Sequence, residues 1–316
     1  MLARLQQFIT VSLLISAGVW FCAFARAGRP AWALLGVVLI LLGYALFLAV
    51  EFVLLGFVQD SVPAPRATAR ELLGAWWGEV GSAPRVFCWR QPFRSQAEPD
   101  FIPEEPGGRR GVVFVHGFFC NRGFWNPWLT QLRAQQVPFV AVNLEPVFGS
   151  MDDYPAIVEA AVKSMEAATG FAPVVVAHSM GGLAVRAWLR KFAADSRVHR
   201  VVTIASPHRG TWLARYAGTR SGKQMRQGSA WLAQLAAAET SRHNAYEHFT
   251  CFYGHCDNIV FPASTATLPG ADNLHIPRTA HVHMAFQAAV FDEVWRWITL
   301  PPPRPGGESE PAVAAQ

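Results

Sequence analysis

The stretch Pro173–Leu183, PVVVAHSMGGL, decides how the chain is read. Pro173–Ala177 is an uninterrupted apolar run with the length and β-branched composition of a buried strand. Met180–Lys191 follows with the spacing of a helix. Ser179 stands at the corner between them. A sharp turn from strand into helix exposes the serine Oγ and aims the positive end of the helix dipole at it. Strand and helix pass close together at such a corner, so small residues are needed around it. Ala177, Gly181 and Gly182 supply them. The pattern departs from G-x-S-x-G only by the Cβ of Ala177, which fits where that position avoids the left-handed backbone region. A serine before a glycine is by itself an ordinary turn; the flanking strand and helix single this one out.

Outward from this corner, apolar strands alternate with helices. Strands are expected at Val86–Phe93, Gly111–Val115, Pro138–Asn143, Val198–Ile204, Phe249–Tyr253 and Asn273–Ile276. Helices are expected at Phe124–Gln136, at Pro155–Thr169 with Asp152 as its cap, and at His281–Thr299. This alternation predicts an α/β fold over residues 86–300, a mostly parallel sheet with helices on both faces. The alternation lapses at residues 206–247, where GTRSGKQMRQGSAW precedes a short Ala-rich helix, Ala230–Ala238. That insertion is a candidate lid. The tail at residues 301–316, rich in Pro, Gly and Glu, is expected to be disordered.

A serine hydroxyl is a weak nucleophile at neutral pH and needs a base, with a carboxylate to fix the base's tautomer. Asp257 directly follows the Phe249–Tyr253 strand and is the expected acid; Asp272 and Asp195 are its rivals. His281, on the loop before the last helix, is the expected base, with His283 as the alternative. An oxyanion needs preorganised N–H donors. The amide of Met180, next to Ser179, and that of Phe118, after the Gly111–Val115 strand, are the candidates. Phe119, Trp125, Pro207 and His208 are the candidate pocket residues, and His178 is read as structural. No metal-ligand spacing occurs, and no cofactor is expected.

VHGFF at Val115–Phe119, AHSMGG at Ala177–Gly182, TIASPHRGT at Thr203–Thr211, CDNIV at Cys256–Val260 and AHVHM at Ala280–Met284 occur in that order. Together they resemble the α/β-hydrolase family, in its bacterial lipase and esterase branch. The resemblance covers residues 86–298. It implies an α/β-hydrolase fold and hydrolysis of a carboxylic ester, or of a lipid, through an acyl-enzyme, with Ser206–Gly210 bordering the acyl pocket. The same three residues also serve acyl transfer and thioester cleavage, and a non-catalytic hydrolase-like module on a membrane is the remaining reading.

The N-terminus lies outside that resemblance. Phe8–Ala25 is apolar, and Ala31–Val50 carries no charge over a length that spans about 30 Å as a helix, the thickness of a bilayer's hydrocarbon core. Arg26 and Arg29 lie in the short loop between them. Residues 1–58 are therefore expected to form a transmembrane hairpin in a membrane, the bacterial inner membrane for a chain of this resemblance. Arg26 and Arg29 favour a cytoplasmic loop, whereas Arg4, Arg66 and Arg70 favour cytoplasmic ends, so charge leaves both orientations open. Residues 59–85 combine a Pro-rich linker with a Trp-containing helix at Ala69–Val80, a candidate interfacial helix. The 52% hydrophobic content and mean hydropathy of +0.19 agree with added membrane sequence. The net charge of +5 arises without a basic run, so nucleic acid is not an expected partner.

Overall fold

The computed structural model describes residues 1–102, 104, 108–240 and 244–300. The expected disordered tail at 301–316 lies outside the described residues. Helix α1 covers Leu2–Arg26 and α2 covers Pro30–Phe57. Both are long and apolar enough to cross a membrane, with mean hydropathies of 2.1 and 2.8 in their most apolar stretches. They touch closely at Gly36, where an added Cβ would overlap the Trp20 indole, whose Nε1 donates to the Trp32 carbonyl at 2.9 Å.

Helix α3, Ala69–Pro84, starts at a capping box in which the Thr68 side chain accepts from the Glu71 N–H and Glu71 accepts from the Thr68 N–H. Two polar contacts tie it to α2. The Trp76 Nε1 donates to the Ala45 carbonyl at 2.9 Å, and the Tyr44 hydroxyl donates to the Val80 carbonyl at 2.8 Å. Pro84 has no N–H to offer Val80, which leaves that carbonyl for Tyr44.

The expected strand at Val86–Phe93 is absent. The chain instead continues beyond α3 through a π-helical stretch, Arg85–Arg90, and a last turn at Gln91–Phe93. A short apolar run reads equally as strand or buried helix. Here docking decides. Val86 is fully buried, and the buried Gln91 side chain accepts from the Asn121 N–H at 2.8 Å.

Next come β1 (Val112–Val115), α4 (Asn126–Ala134), β2 (Phe139–Ala141) and α5 (Pro155–Thr169). They lead to β3 (Val174–His178), α6 (Met180–Phe192) and β4 (Arg200–Ile204). The insertion holds α7 (Arg220–Gln224) and α8 (Ala230–Thr240). The chain closes with β5 (Phe249–Tyr253), β6 (Asp272–His275), α9 (His281–Met284) and α10 (Ala288–Thr299). The expected single helix from His281 to Thr299 is broken, because Gln287 is extended and the Trp128 Nε1 takes the Ala285 carbonyl at 2.8 Å. Asp152 does not cap α5. Ser150 and Asp153 form a capping box just before it, while Asp152 accepts from Arg190 and Trp231.

The six strands lie in the order β2-β1-β3-β4-β5-β6, every neighbouring pair parallel. Their residues alternate between two cores. Val113, Val115, Val175 and Ala177 pack with residues of α5 and α6, and Val112, Phe114, Val174 and Val176 with residues of α4 and α10. Burial on both faces is why these strands read as continuous apolar runs. Successive strands run outward in opposite directions from β1, so a crevice opens at the carboxyl ends of β1 and β3. Ser179 and His116–Phe119 follow those two ends.

The insertion is fastened to α6 by a buried bidentate ion pair. The Arg186 Nε donates to Glu239 Oε1 at 2.9 Å and Nη2 to Oε2 at 2.5 Å, with both side chains at most 2% exposed. Arg186→Met alone is expected to destabilise the protein by about 3–5 kcal/mol, because it strands a buried carboxylate, while Arg186→Met with Glu239→Leu recovers most of the loss. Denaturant unfolding of the three proteins checks this.

Candidate active site

Ser179 has φ 54° and ψ −128°, a region that costs a residue with a Cβ about 1–3 kcal/mol. The surrounding backbone holds it there. The Ser179 N–H donates to the Ile204 carbonyl at 2.8 Å, and the Gly182 N–H donates to the Ser179 carbonyl at 3.0 Å. Three glycines leave room for the corner. A Cβ at Gly117 would lie 2.8 Å from the Ser179 Cβ; one at Gly181 would lie 2.6 Å from the Val115 carbonyl oxygen; one at Gly182 would lie 2.3 Å from the Ser206 Oγ. Ala177 sits in regular strand within β3, paired with Val115 and Thr203, so its Cβ meets no obstacle.

Asp257, on the loop after β5, and His281, the first residue of α9, meet. The His281 Nδ1 lies 3.0 Å from Asp257 Oδ1 and 3.1 Å from Oδ2. The Asp257 carboxylate is fixed by the N–H groups of Ile259 at 2.9 Å and Val260 at 2.8 Å, both donating to Oδ1. Both side chains are buried. Burial pulls the His281 pKa down, but the Asp257 carboxylate, aided by Glu79 and Glu51, outweighs it, and the net shift is upward from the ordinary histidine value.

His178, next to Ser179, supports His281 from behind. Its Nε2 donates to the His281 carbonyl at 3.2 Å, and its ring stacks on Phe124. Burial, with His281 adding to it, holds His178 well below the ordinary histidine pKa and so neutral. The rival residues lie elsewhere. His283 is half-buried against α3 and Arg85, and Asp272 pairs with Arg200 at the outer edge of the sheet. Asp195 stands in a 3-10 turn after α6.

The loop after β1 is held by His116. Its Nδ1–H donates to the Gly117 carbonyl at 2.9 Å and its Nε2 accepts from the Leu144 N–H at 3.0 Å, an arrangement that requires the neutral ring. Burial lowers its pKa to about 4, in agreement. Phe118 and Phe119 are half-buried and form a cluster with Phe148. The amide of Met180 opens α6 beside Ser179, and that of Phe118 follows Gly117.

The other expected pocket residues lie deeper. Trp125 is fully buried against Phe114 and Phe124 and belongs to the core rather than to a pocket wall. The side chains of Ser206 and Thr203 stand over Gly182, so the segment after β4 does reach the corner. Pro207 and His208 are buried beyond it. His208 Nε2 contacts the Thr203 Oγ1 at 2.9 Å, and its carbonyl accepts from Arg186 at 2.7 Å. Among the described residues no cluster fit for a metal ion occurs.

Asn258, part of the CDNIV stretch, accepts the His281 N–H, and Glu79 and Glu51, which escaped the sequence reading, converge on the same segment. A lone charge near the end of a long apolar stretch was the only signal at Glu51, and nothing marked Glu79.

The alpha/beta hydrolase family model matches residues 112–310. The chain belongs to this family. No curated protein matches it by sequence. Among solved structures, the mature lipase BlEst2 of Bacillus licheniformis aligns with a TM-score of 0.55 and 20% identity, over 64% of this chain and 96% of that one. The propeptide form of that lipase gives 0.53 and 18%, over 68% and 55%. Lipase B of Aspergillus fumigatus gives 0.52 and 19%, over 63% and 55%. At these identities the likeness is one of fold, and it agrees with the sheet order of this alpha/beta hydrolase.

Gly181→Ala is expected to push α6 away from the end of β1, costing about 1–3 kcal/mol and distorting the Ser179 corner. Thermal unfolding of the variant beside the wild type measures it.

Proposed function

We propose that this alpha/beta hydrolase is a membrane-anchored serine hydrolase that cleaves carboxylic esters, as lipases and esterases do, through an acyl-enzyme. The observation that carries the reading is the contact between His281 and Asp257, with His281 held against His178, the immediate neighbour of a serine at a strained strand-to-helix corner. Such strain persists where the surrounding structure imposes it, and it clusters at reactive sites.

In this reading the Ser179 Oγ attacks the ester carbonyl carbon while the His281 Nε2 takes its proton. Asp257 accepts the Nδ1–H and holds the tautomer in which Nε2 is free to act as base. The amides of Met180 and Phe118 donate to the developing oxyanion. His281 returns the proton to the leaving alcohol. Water then attacks the acyl-enzyme with His281 again as base, releasing the acid and restoring Ser179. The positive end of α6, aimed at Ser179, favours the anionic intermediates. No step calls for a cofactor.

The membrane anchor is supported by α1 and α2, whose apolar side chains are mostly exposed; only 6% and 17% of their most apolar stretches is buried. A lipid ester is the substrate class that suits an active domain fastened at a bilayer. Leu73 and Trp77, exposed on α3, suit an interfacial helix. Residues 1–58 are expected to keep the chain in the membrane fraction after alkaline carbonate washing, and release by that wash would remove the anchor.

Ser179→Ala is expected to lower p-nitrophenyl ester turnover by at least about 10³-fold and to abolish labelling by a fluorophosphonate probe, with melting unchanged. Retained turnover in that variant would overturn the reading. The base acts only when neutral, and its pKa is raised, so kcat/KM is expected to fall with acidification through a midpoint above the ordinary histidine value. A profile with its midpoint below that value would exclude His281 in this environment.

A further inference from the structure

Two carboxylates besides Asp257 are sealed behind the histidine. Glu79 of α3 is 2% exposed, and Glu51, near the end of α2, is 5% exposed. Neither pairs with a lysine or arginine among the described residues. A buried carboxylate without a cation is costly unless hydrogen bonds compensate for lost water.

The bonds they make all lead to one place. Glu79 Oε1 accepts the Val282 N–H at 3.0 Å, and its Oε2 accepts the His283 N–H at 3.0 Å. These are first-turn donors of α9, which have no partner within the helix. Gly78 permits the approach, since a Cβ there would lie 2.4 Å from the His283 Nδ1. Glu51 Oε2 accepts from the Asn258 Nδ2 at 2.6 Å, and the Asn258 Oδ1 in turn accepts the His281 N–H at 3.2 Å. The backbone N–H groups of His281, Val282 and His283 are thus all held by side chains. Glu79 holds two of them, and Glu51 steadies the residue that holds the third. Around these bonds, Phe52 and Leu55 of α2 and Ala75 of α3 pack with Cys256, Phe261 and Ala280, which flank the two loops.

We propose that Glu79 and Glu51 are positioning residues for His281, so that α3 and the end of α2 are working parts of the active site. The proposal rests on His281 being the base. Asp257 fixes the rotation of the imidazole, while Glu79 and Glu51 fix the short helix that carries it. Without them the first turn of α9 is free to shift relative to Ser179. A misplacement of about 1 Å at such a centre costs about 10²-fold in rate. Burial, only partly offset by its two backbone bonds, raises the Glu79 pKa to about 7. The titratable groups facing His281 are Asp257, Glu79 from α3, Glu51 from α2 and His178 at the end of β3.

The test is the rate at which Ser179 of the full-length protein, in detergent micelles, reacts with a fluorophosphonate probe across pH. Glu79→Gln, which offers one acceptor in place of two, and Glu51→Leu, which offers none, are expected to label about 10–100-fold more slowly than wild type. Glu51→Gln keeps an acceptor for Asn258 and is expected to label close to the wild-type rate. Glu79→Gln also removes a negative charge near His281, so its labelling profile is expected to shift to lower pH. Melting curves and near-UV circular dichroism report the folded fraction of each variant. Wild-type rates in Glu79→Gln and Glu51→Leu would overturn the proposal. So would losses that vanish once rates are scaled to folded protein, or an equal loss in Glu51→Gln and Glu51→Leu. A wild type that does not label would instead overturn the serine-nucleophile reading, and this proposal with it.

Discussion

The close approach of β1, β3 and α6 around Ser179 is the constraint on which the rest depends. A serine with φ 54° is stable only where its neighbours leave no easier path. Here the strand pairing fixes the Ser179 N–H on the Ile204 carbonyl, and α6 must start at once. The helix then passes within van der Waals contact of the β1 carbonyls, which excludes any side chain at Gly181. The same crowding excludes a side chain at Gly117, on the loop that carries the Phe118 amide. One steric condition therefore brings together the serine, a helix N-terminus and the loop after β1.

The histidine is held differently. Its loop is not part of a strand pairing, and α9 is too short to be stable alone. Its placement comes from polar contacts: Asp257 on its side chain, Asn258 on its backbone N–H, and Glu79 on the N–H groups of Val282 and His283 that follow it. Two of the elements behind these contacts, α2 and α3, lie outside the sheet. The sheet places Ser179 by sterics, and the N-terminal helices help place His281 by hydrogen bonds. These two means respond to different changes, since a lost glycine disturbs the corner while a lost carboxylate disturbs the histidine.

The N-terminal region also shows why local pattern misleads at Val86–Phe93. That run has strand-like composition, yet the chain there continues the helix of α3, because Val86 and Gln91 dock into the core and the loop before α4. The break at Ala285–Gln287 has the same origin, a tertiary contact from Trp128 that competes with the helix for a carbonyl. Trp125 sits near the candidate motifs along the chain, but it is fully buried in the core with Phe114, Phe124 and Trp128.

The sequence by itself determined the α/β alternation, the apolar hairpin and the corner at Ser179. These follow from local rules: the period of apolar residues, the absence of charge over a bilayer's thickness, and the need for small residues at a tight turn. It also nominated Asp257 and His281 from their places after a strand and before a helix. Only the tertiary structure decided which histidine meets that carboxylate, how deep the pocket candidates lie, and that Glu79 reaches the backbone of Val282 and His283 and Glu51 the side chain of Asn258. The physical reason is distance along the chain. Glu51 and Asn258 are 207 residues apart, and Glu79 and Val282 are 203 apart. No spacing rule links them, because their contact exists only once α2 and α3 have docked against the segments that carry Asp257 and His281.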